Sequence, residues 1–463
     1  MDEKNYEINI EQIKVDFKFK ENGGLTNTQG NKYFLFPFVA NEKNLFTDFS
    51  GVTGEFSRMI CDKRLLEEFN VEKFIEKMLD KIDEYEGEDS KETLKDIINS
   101  MFINEGKLEN FNIKTINYIP STSSDKKVAE YIYCNLFSEN LKDIVKENYN
   151  KQEENLLYKL VSKSLPELQE NKSASLKGIN YINFVRELFI KDFKFLISNE
   201  ELYKNSLKRF LEYYYMFYTS QIILKLSKFE DADLQNPEPL YYTLNWESVS
   251  KNRTSYRFGW ELLKSKSNSI FAHAITLEML NYHDLDKKLS YNDLFEIFKE
   301  NDSKENNIKE QINELINVYK EKLGINEEEL KYSNKDSGNE IFNLVYKLFE
   351  TVEYQFNKGR GRARANQAYS KWFIKFVEAN FGKRRGALGY TLNLDEEDII
   401  LITKLCINNN EKLKLNTLFE EFKKRGICFD RNSSNKIVQL YEKLNLLEKK
   451  SDSGDAQYVR AIL

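Results

Sequence analysis

Side chains that take up protons, hold metals or meet phosphates are very unequally supplied in this chain. There are only two histidines in 463 residues, His273 and His283. Neither sits in an HxH, HExxH or HxK pattern, so the spacing that binds zinc or builds a nucleophile–base pair is missing. Metal-dependent nucleases need acids and a lysine gathered at a strand end to hold Mg²⁺ and orient water. Asp16-Phe-Lys18, Glu105-Gly-Lys107 and Glu421-Phe-Lys423 have that bare spacing, but a chain with 75 acids produces such triplets by chance. The first lies in an expected strand with no upstream aspartate beside it, and the third lies in an expected helix. Neither a GxSxG elbow nor a GxxxxGK[ST] loop is present. Cys61, Cys134, Cys406 and Cys428 lack CxxC or CxxH spacing and read as reduced, buried thiols. No catalytic residue, metal ligand or cofactor is assigned.

Binding chemistry is better represented. Between Lys358 and Arg385 stand nine cations, Lys358, Arg360, Arg362, Arg364, Lys371, Lys375, Lys383, Arg384 and Arg385, against one acid, Glu378. The whole chain carries −6, so positive charge is concentrated in one segment of an acidic protein. Arg360, Arg362 and Arg364 alternate with glycine and alanine, which suits a backbone that approaches a phosphate chain closely. The stretch from Arg364 to Phe381 reads as a helix. Arg364, Gln367, Lys371 and Lys375 share one face, and Tyr369, Trp372, Phe373 and Phe376 share the other, which is expected to be core. Lys383, Arg384 and Arg385 follow Gly382 at the helix end, where cations also complement the macrodipole. Such a distribution implies a polyanion, and duplex DNA is the obvious one.

The module that follows must position any base contact. Asp395 caps an expected helix over the apolar face Ile399, Ile400, Ile402, Leu405 and Cys406. Lys412 to Leu415 alternates like a strand, and Asn416 is expected to cap a second helix ending at Gly426. A link, Ile427 to Asp430, leads into a third helix from Arg431 to Asn445. Two strands, 446–450 and 456–462, flank a hairpin loop containing Gly454. Helix, strand, helix, helix, strand, wing, strand is the winged-helix order. On the third helix Ile437, Leu440, Tyr441 and Leu444 are expected to be buried. Arg431 opens that helix, and Asn432, Asn435, Lys436, Gln439 and Lys443 face outward with groups suited to base edges and phosphates. Two readings stand here. The helix touches DNA, or the module docks protein, since residues 393–463 are electrically neutral and the wing carries Asp452 and Asp455.

The remaining chain reads as helical with polar joints, so the fold class is mainly α and multi-domain, with a small N-terminal α/β region. Expected divisions are 1–120, 121–357, 358–392 and 393–463. Tyr6 to Phe19 alternates like strands, and Glu55 to Cys61 like a short helix. Ser198 has capping-box spacing before a long helix reaching Lys228. Helices are also expected over 302–319 and 338–356. The most apolar stretch, Phe210 to Leu226, contains Glu212, Lys225 and four tyrosines, so no membrane span is expected. Met1-Asp-Glu-Lys4 lacks an apolar core, and a cytoplasmic location is expected.

Several motifs carry a family resemblance. Gly30-Asn-Lys-Tyr-Phe-Leu-Phe-Pro-Phe38, Gly54-Glu-Phe-Ser-Arg58, Arg362-Ala-Arg-Ala-Asn-Gln367, Gly382-Lys-Arg-Arg-Gly386, Gly389-Tyr-Thr-Leu-Asn-Leu394 and Lys449-Lys-Ser-Asp-Ser-Gly-Asp-Ala-Gln-Tyr458 are similar to the DptG family. That family is a subunit of the restriction arm of bacterial DNA phosphorothioation systems. The resemblance implies an anti-phage defence complex with an ATPase subunit and a helicase- or nuclease-like subunit, damaging DNA that lacks the sulfur-modified backbone. It supplies no catalytic residue for this chain. A non-catalytic DNA-engaging subunit is therefore expected, with a structural adaptor that docks partner subunits as the alternative.

Overall fold

The computed structural model describes residues 6–37, 48–87, 89–151, 155–171, 180–300, 305–326, 329–358, 363–449 and 457–462. Among these residues nineteen α-helices stand against five small sheets of two or three strands. The protein is mainly α and multi-domain. It forms two compact units, one of Met1–Leu45, Gly178–Val185 and Met216–Leu463, the other of Phe46–Lys177 and Arg186–Tyr215. These units cut across the divisions expected at 120, 357 and 392.

In the smaller unit, helix Ser50–Ile60 packs against helix Ser123–Leu136 and the 3₁₀ turn Ile113–Tyr118. The helix starts five residues before the expected Glu55 and takes in both Gly51 and Gly54. Their role is close approach. A Cβ on Gly54 would lie 2.5 Å from the Ile119 carbonyl oxygen, and one on Gly51 would lie 2.3 Å from Asp125 Oδ2. One turn on, Arg58 is buried and donates to the carbonyls of Asn117 and Ile119 at 2.8 and 2.7 Å. It also reaches Glu55 and Ser121. The Gly54–Arg58 motif thus joins this helix to the following turn. Gly54→Ala is expected to destabilise the unit by about 1–3 kcal/mol, the usual effect of overpacking. Chemical denaturation of the full chain checks it, and an unchanged midpoint would show that the turn yields.

In the larger unit the N-terminal strand expectation is overturned. Residues Ile10–Asp16 form a helix capped by Asn9, whose side chain accepts the Gln12 N–H at 2.9 Å. The apolar residues fit both periods until Val15 is considered. Ile10, Ile13 and Phe17 are buried at helical spacing, whereas Val15, which a strand would bury with Ile13 and Phe17, is 68% exposed. Upstream, Tyr6 and Ile8 are buried alternately without belonging to a strand.

Helix Ile270–Leu280 is buried along its whole length and packs against Glu340–Lys358, as an all-round apolar helix must. Glu340–Lys358 packs in turn on Glu305–Leu323. The long aromatic helix is Glu200–Leu226, preceded by Asn183–Ser198. Its start is fixed by Asn199, whose side chain accepts the Leu202 N–H at 2.9 Å, while the Ser198 hydroxyl turns back to Lys194 O. The cap lies one residue beyond the expected Ser198.

The C-terminal module runs through helix Glu396–Ile407, strand Lys412–Lys414, helix Leu415–Lys424, strand Ile427–Cys428 and helix Arg431–Lys443 to strands Leu447–Lys449 and Gln457–Arg460. The last two strands and Lys412–Lys414 make one antiparallel sheet with Gln457–Arg460 in the centre. Asp395 and Asp398 form a capping box. The second helix begins at Leu415 with no side-chain cap, so Asn416 lies inside it. Asp452 and Asp455 of the expected wing lie outside the described residues. The short link Ile427–Cys428 pairs in parallel with Leu240–Tyr241. Just upstream of the module, Tyr390–Leu394 pairs antiparallel with Gly382–Arg384 and in parallel with Thr243–Leu244. The module is therefore built into the larger unit through segment 240–244.

Candidate nucleic-acid interface

Helix Arg431–Lys443 divides cleanly by burial. Ile437, Leu440 and Tyr441 are core, and the Tyr441 hydroxyl shares a 2.6 Å hydrogen bond with Thr403 Oγ1. Leu444, expected to be buried with them, is 39% exposed at the helix end. On the other side Arg431, Asn432, Asn435, Lys436, Gln439 and Lys443 are all exposed. Lys436 Nζ donates to Gln439 Oε1 at 3.1 Å. This face offers three cations and three amides, the side-chain types that meet phosphates and base edges, together with one exposed acid, Glu442, which pairs with Lys449 at 2.7 Å.

The base of this helix is anchored by a residue far away in sequence. Arg253 donates from Nε to Asp430 Oδ2 at 2.9 Å and from Nη2 to Asp430 Oδ1 at 2.6 Å. The same guanidinium reaches Glu247 Oε2 at 2.9 Å and Ser433 Oγ at 2.7 Å. Asp430 caps the helix by accepting the Ser433 N–H at 3.0 Å and also accepts from Ser255 Oγ at 2.9 Å. Burial by itself would raise the Asp430 carboxyl. The Arg253 fork and these hydrogen bonds outweigh it and hold the group well below the usual carboxylate range.

The basic segment separates into exposed and engaged cations. On helix Ala363–Asn380, Lys371 and Lys375 are exposed while Trp372, Phe373, Phe376 and Val377 are buried, as the periodicity requires. Gly382–Arg384 is a strand, which alternates its side chains. Lys383 Nζ donates to Asn245 O at 2.5 Å. Arg385 donates to Glu247 O at 2.8 Å, Leu244 O at 2.7 Å, Asn393 Oδ1 at 3.1 Å and Thr243 Oγ1 at 3.1 Å. Only Arg384 of this trio is exposed. Lys383 and Arg385 bind the protein itself, so the three expected contact cations differ in how far they are engaged. Arg360 and Arg362 lie outside the described residues, as do the side chains of Lys358, Arg364, Gln367 and Tyr369.

No family model matches the chain, and no curated protein matches it either.

Both histidines, Asp16 and Glu421 make contacts within the protein. His273 is buried, stacks on Phe349 at 4.3 Å and shares a 3.2 Å hydrogen bond with the Tyr291 hydroxyl. Burial pushes it down to about 3, and His283 down to about 4. Asp16 accepts the Tyr282 hydroxyl at 2.8 Å, and Glu421 pairs with Arg425 at 2.9 Å. The four cysteines are free thiols. Among the described residues no group of three or more His, Cys, Asp or Glu is placed to hold a metal ion. No described helix is long and apolar enough to cross a membrane.

Sequence reasoning missed Glu247, Arg253 and the strands at 240–244. One signal was available. Leu240-Tyr-Tyr-Thr-Leu244 is a β-branched and aromatic run directly after Pro239, which has strand composition. Nothing local marks Arg253 as the partner of Asp430, because that pairing exists only after folding.

Proposed function

We propose that this chain is a non-catalytic subunit that engages duplex DNA through the outward face of helix Arg431–Lys443, with Lys371, Lys375 and Arg384 as further phosphate contacts. The observation that carries the reading is the exposed polar face, with three cations and three amides against one acid, on a helix whose base is fixed by Arg253. A winged-helix assignment of the module fits its element order, and in that class such a helix enters the major groove. The motif resemblance to the DptG family supplies the context. In it the chain serves a bacterial, cytoplasmic phosphorothioation-dependent restriction complex directed against phage, acting on unmodified DNA beside an ATPase subunit and a helicase- or nuclease-like subunit. A sulfur in place of a non-bridging oxygen leaves the phosphate charge intact, so this surface is expected to bind modified and unmodified duplexes alike.

The test is the triple variant Arg431→Glu, Lys436→Glu, Lys443→Glu. All three side chains are exposed, so stability should change by no more than about 0.5 kcal/mol per site. If each neutralises one phosphate, the slope of log affinity against log salt should fall by about 2.7. An unchanged slope rejects the contact.

A second reading, the structural adaptor, is favoured by a different observation. A groove of about 510 Å³ is lined by Leu224, Pro239, Tyr241, Phe258 and Leu262, and Phe258 is 51% exposed. Exposed aromatics in such a groove suit a protein partner. Under this reading the triple variant keeps its salt slope, and it is Phe258→Asp, in the groove, that loses co-purification with a partner subunit.

A further inference from the structure

We infer that residues Thr243–Arg253 brace strand Gly382–Arg384 and helix Arg431–Lys443 into one contact surface, so that Arg384 and the helix face meet the same duplex. The inference rests on the DNA-contact reading above and adds two positioning residues, Glu247 and Arg253, to it.

Glu247 is the joint. Its main-chain oxygen accepts Arg385 Nη1 at 2.8 Å, which fixes the strand side. On the helix side, its carboxylate accepts Ser433 Oγ at 2.8 Å and Arg253 Nη1 at 2.9 Å. The Leu244 N–H donates to the same carboxylate at 2.8 Å, locking the side chain to its own segment. Asn245 adds a second tie, accepting Lys383 Nζ at 2.5 Å on its carbonyl and Asn393 Nδ2 at 2.9 Å on its side chain. The residues before and after Arg384 are therefore both held by the brace. Alternation along the strand leaves Arg384 facing the other way, and it is exposed. At the far end of the brace, Arg253 and Ser255 hold Asp430, the residue next to Arg431.

The physical consequence is preorganisation. Cations on independently moving elements must each be ordered when DNA arrives, whereas cations on one frame are ordered by folding. The second contact then forms at a high effective concentration once the first is made. The structure also gives two of the three cations in the Lys383–Arg385 trio partners within the protein. They build the frame that aims the third.

The experiment measures the affinity of the full-length chain for a short duplex across a salt series. Arg384→Ala is introduced into the parent and into two brace variants, Arg253→Lys and Glu247→Gln. Hydrogen exchange of the amides over 431–443 is followed in the same proteins. Arg253→Lys keeps the charge but loses the planar fork, and Glu247→Gln keeps the shape, so at least one is expected to remain folded by near-UV circular dichroism. In the parent, Arg384→Ala should lower the log–log slope by about 0.9. In the folded brace variant that step should shrink to less than half, with faster exchange over 431–443. An equal step in both backgrounds overturns the inference, because the contacts are then independent. So does unchanged exchange in the brace variants, whatever the DNA result. If Arg384→Ala has no effect in the parent while the helix triple variant loses its slope, the inference fails and the DNA reading stands. If neither variant changes the slope, the DNA reading itself fails and takes the inference with it.

Discussion

Arg253→Met is expected to destabilise the larger unit by about 3–5 kcal/mol, the range for removing one partner of a buried ion pair. The side chains are 9% exposed for Arg253, 3% for Glu247 and 11% for Asp430. Methionine fills part of the volume but leaves two carboxylates out of water with their shared cation gone. The loss is larger than for a surface pair, which contributes about 0–1 kcal/mol. The pH dependence gives a second readout. Asp430 titrates well below an ordinary aspartate in the folded state. Its contribution is therefore complete above the unfolded value near pH ~3.9 and is lost as pH falls below it. The variant lacks that contribution, so the stability gap between parent and variant should narrow in acid. Denaturation of both proteins at neutral pH and near pH ~3.5 tests this, that lower pH being chosen just under the unfolded value. A gap under about 1 kcal/mol at neutral pH would place Arg253 among the surface-type pairs.

The second expectation has the opposite sign. Glu278→Gln is expected to stabilise the protein at pH 8 by on the order of 3 kcal/mol. Glu278 lies on the buried helix Ile270–Leu280 and is 2% exposed. Its carboxylate accepts the Lys32 N–H at 3.2 Å. Burial pushes the carboxyl up to about 7, against the pull of the Lys32 and Asn31 backbone amides and the Lys32 and Lys288 charges. A folded value above the unfolded one, near ~4.3, means that the folded state keeps a proton the unfolded chain releases. The associated stability is complete below the unfolded value and is lost as pH rises through about 7. Glutamine mimics the protonated form, so the gain should be full at pH 8 and close to zero near pH ~4, about the unfolded glutamate value. Parent and variant are compared at each pH, so other titrating groups cancel. A variant less stable than the parent at pH 8 would show that the two lysines compensate the charge.

These two sites also show where sequence reasoning reaches and where it stops. Periodicity is a local property, and it placed Trp372, Phe373 and Phe376 in the core and Lys371 and Lys375 outside it. The same reasoning put Ile437, Leu440 and Tyr441 under the helix and Arg431, Asn432, Asn435, Lys436, Gln439 and Lys443 on its open face. The capping box at Asp395 was equally legible, because cap and helix are neighbours in the chain. Where two periods fit the same apolar residues, as at Ile10 to Phe17, the pattern suggests a strand and the chain forms a helix. Val15 decides between them, and its exposure is settled by what packs around it.

Charge was legible as composition but not as address. The sequence by itself determined that cations gather between Lys358 and Arg385, that the chain is mainly helical, and that helix Arg431–Lys443 has one polar face. Only the tertiary structure decided which cations remain available. Lys383 and Arg385 look the same as Arg384 in sequence, yet their donors end on Asn245, Glu247, Leu244 and Asn393. The partner carbonyls come from segments well over a hundred residues away for Asn245, Leu244 and Glu247. The same holds for Arg253 and Asp430, 177 residues apart. Helical faces are set by a repeat of a few residues, and the chain displays that repeat at every position. A guanidinium finds its carboxylate only after distant segments have been packed side by side, and no local pattern records that meeting.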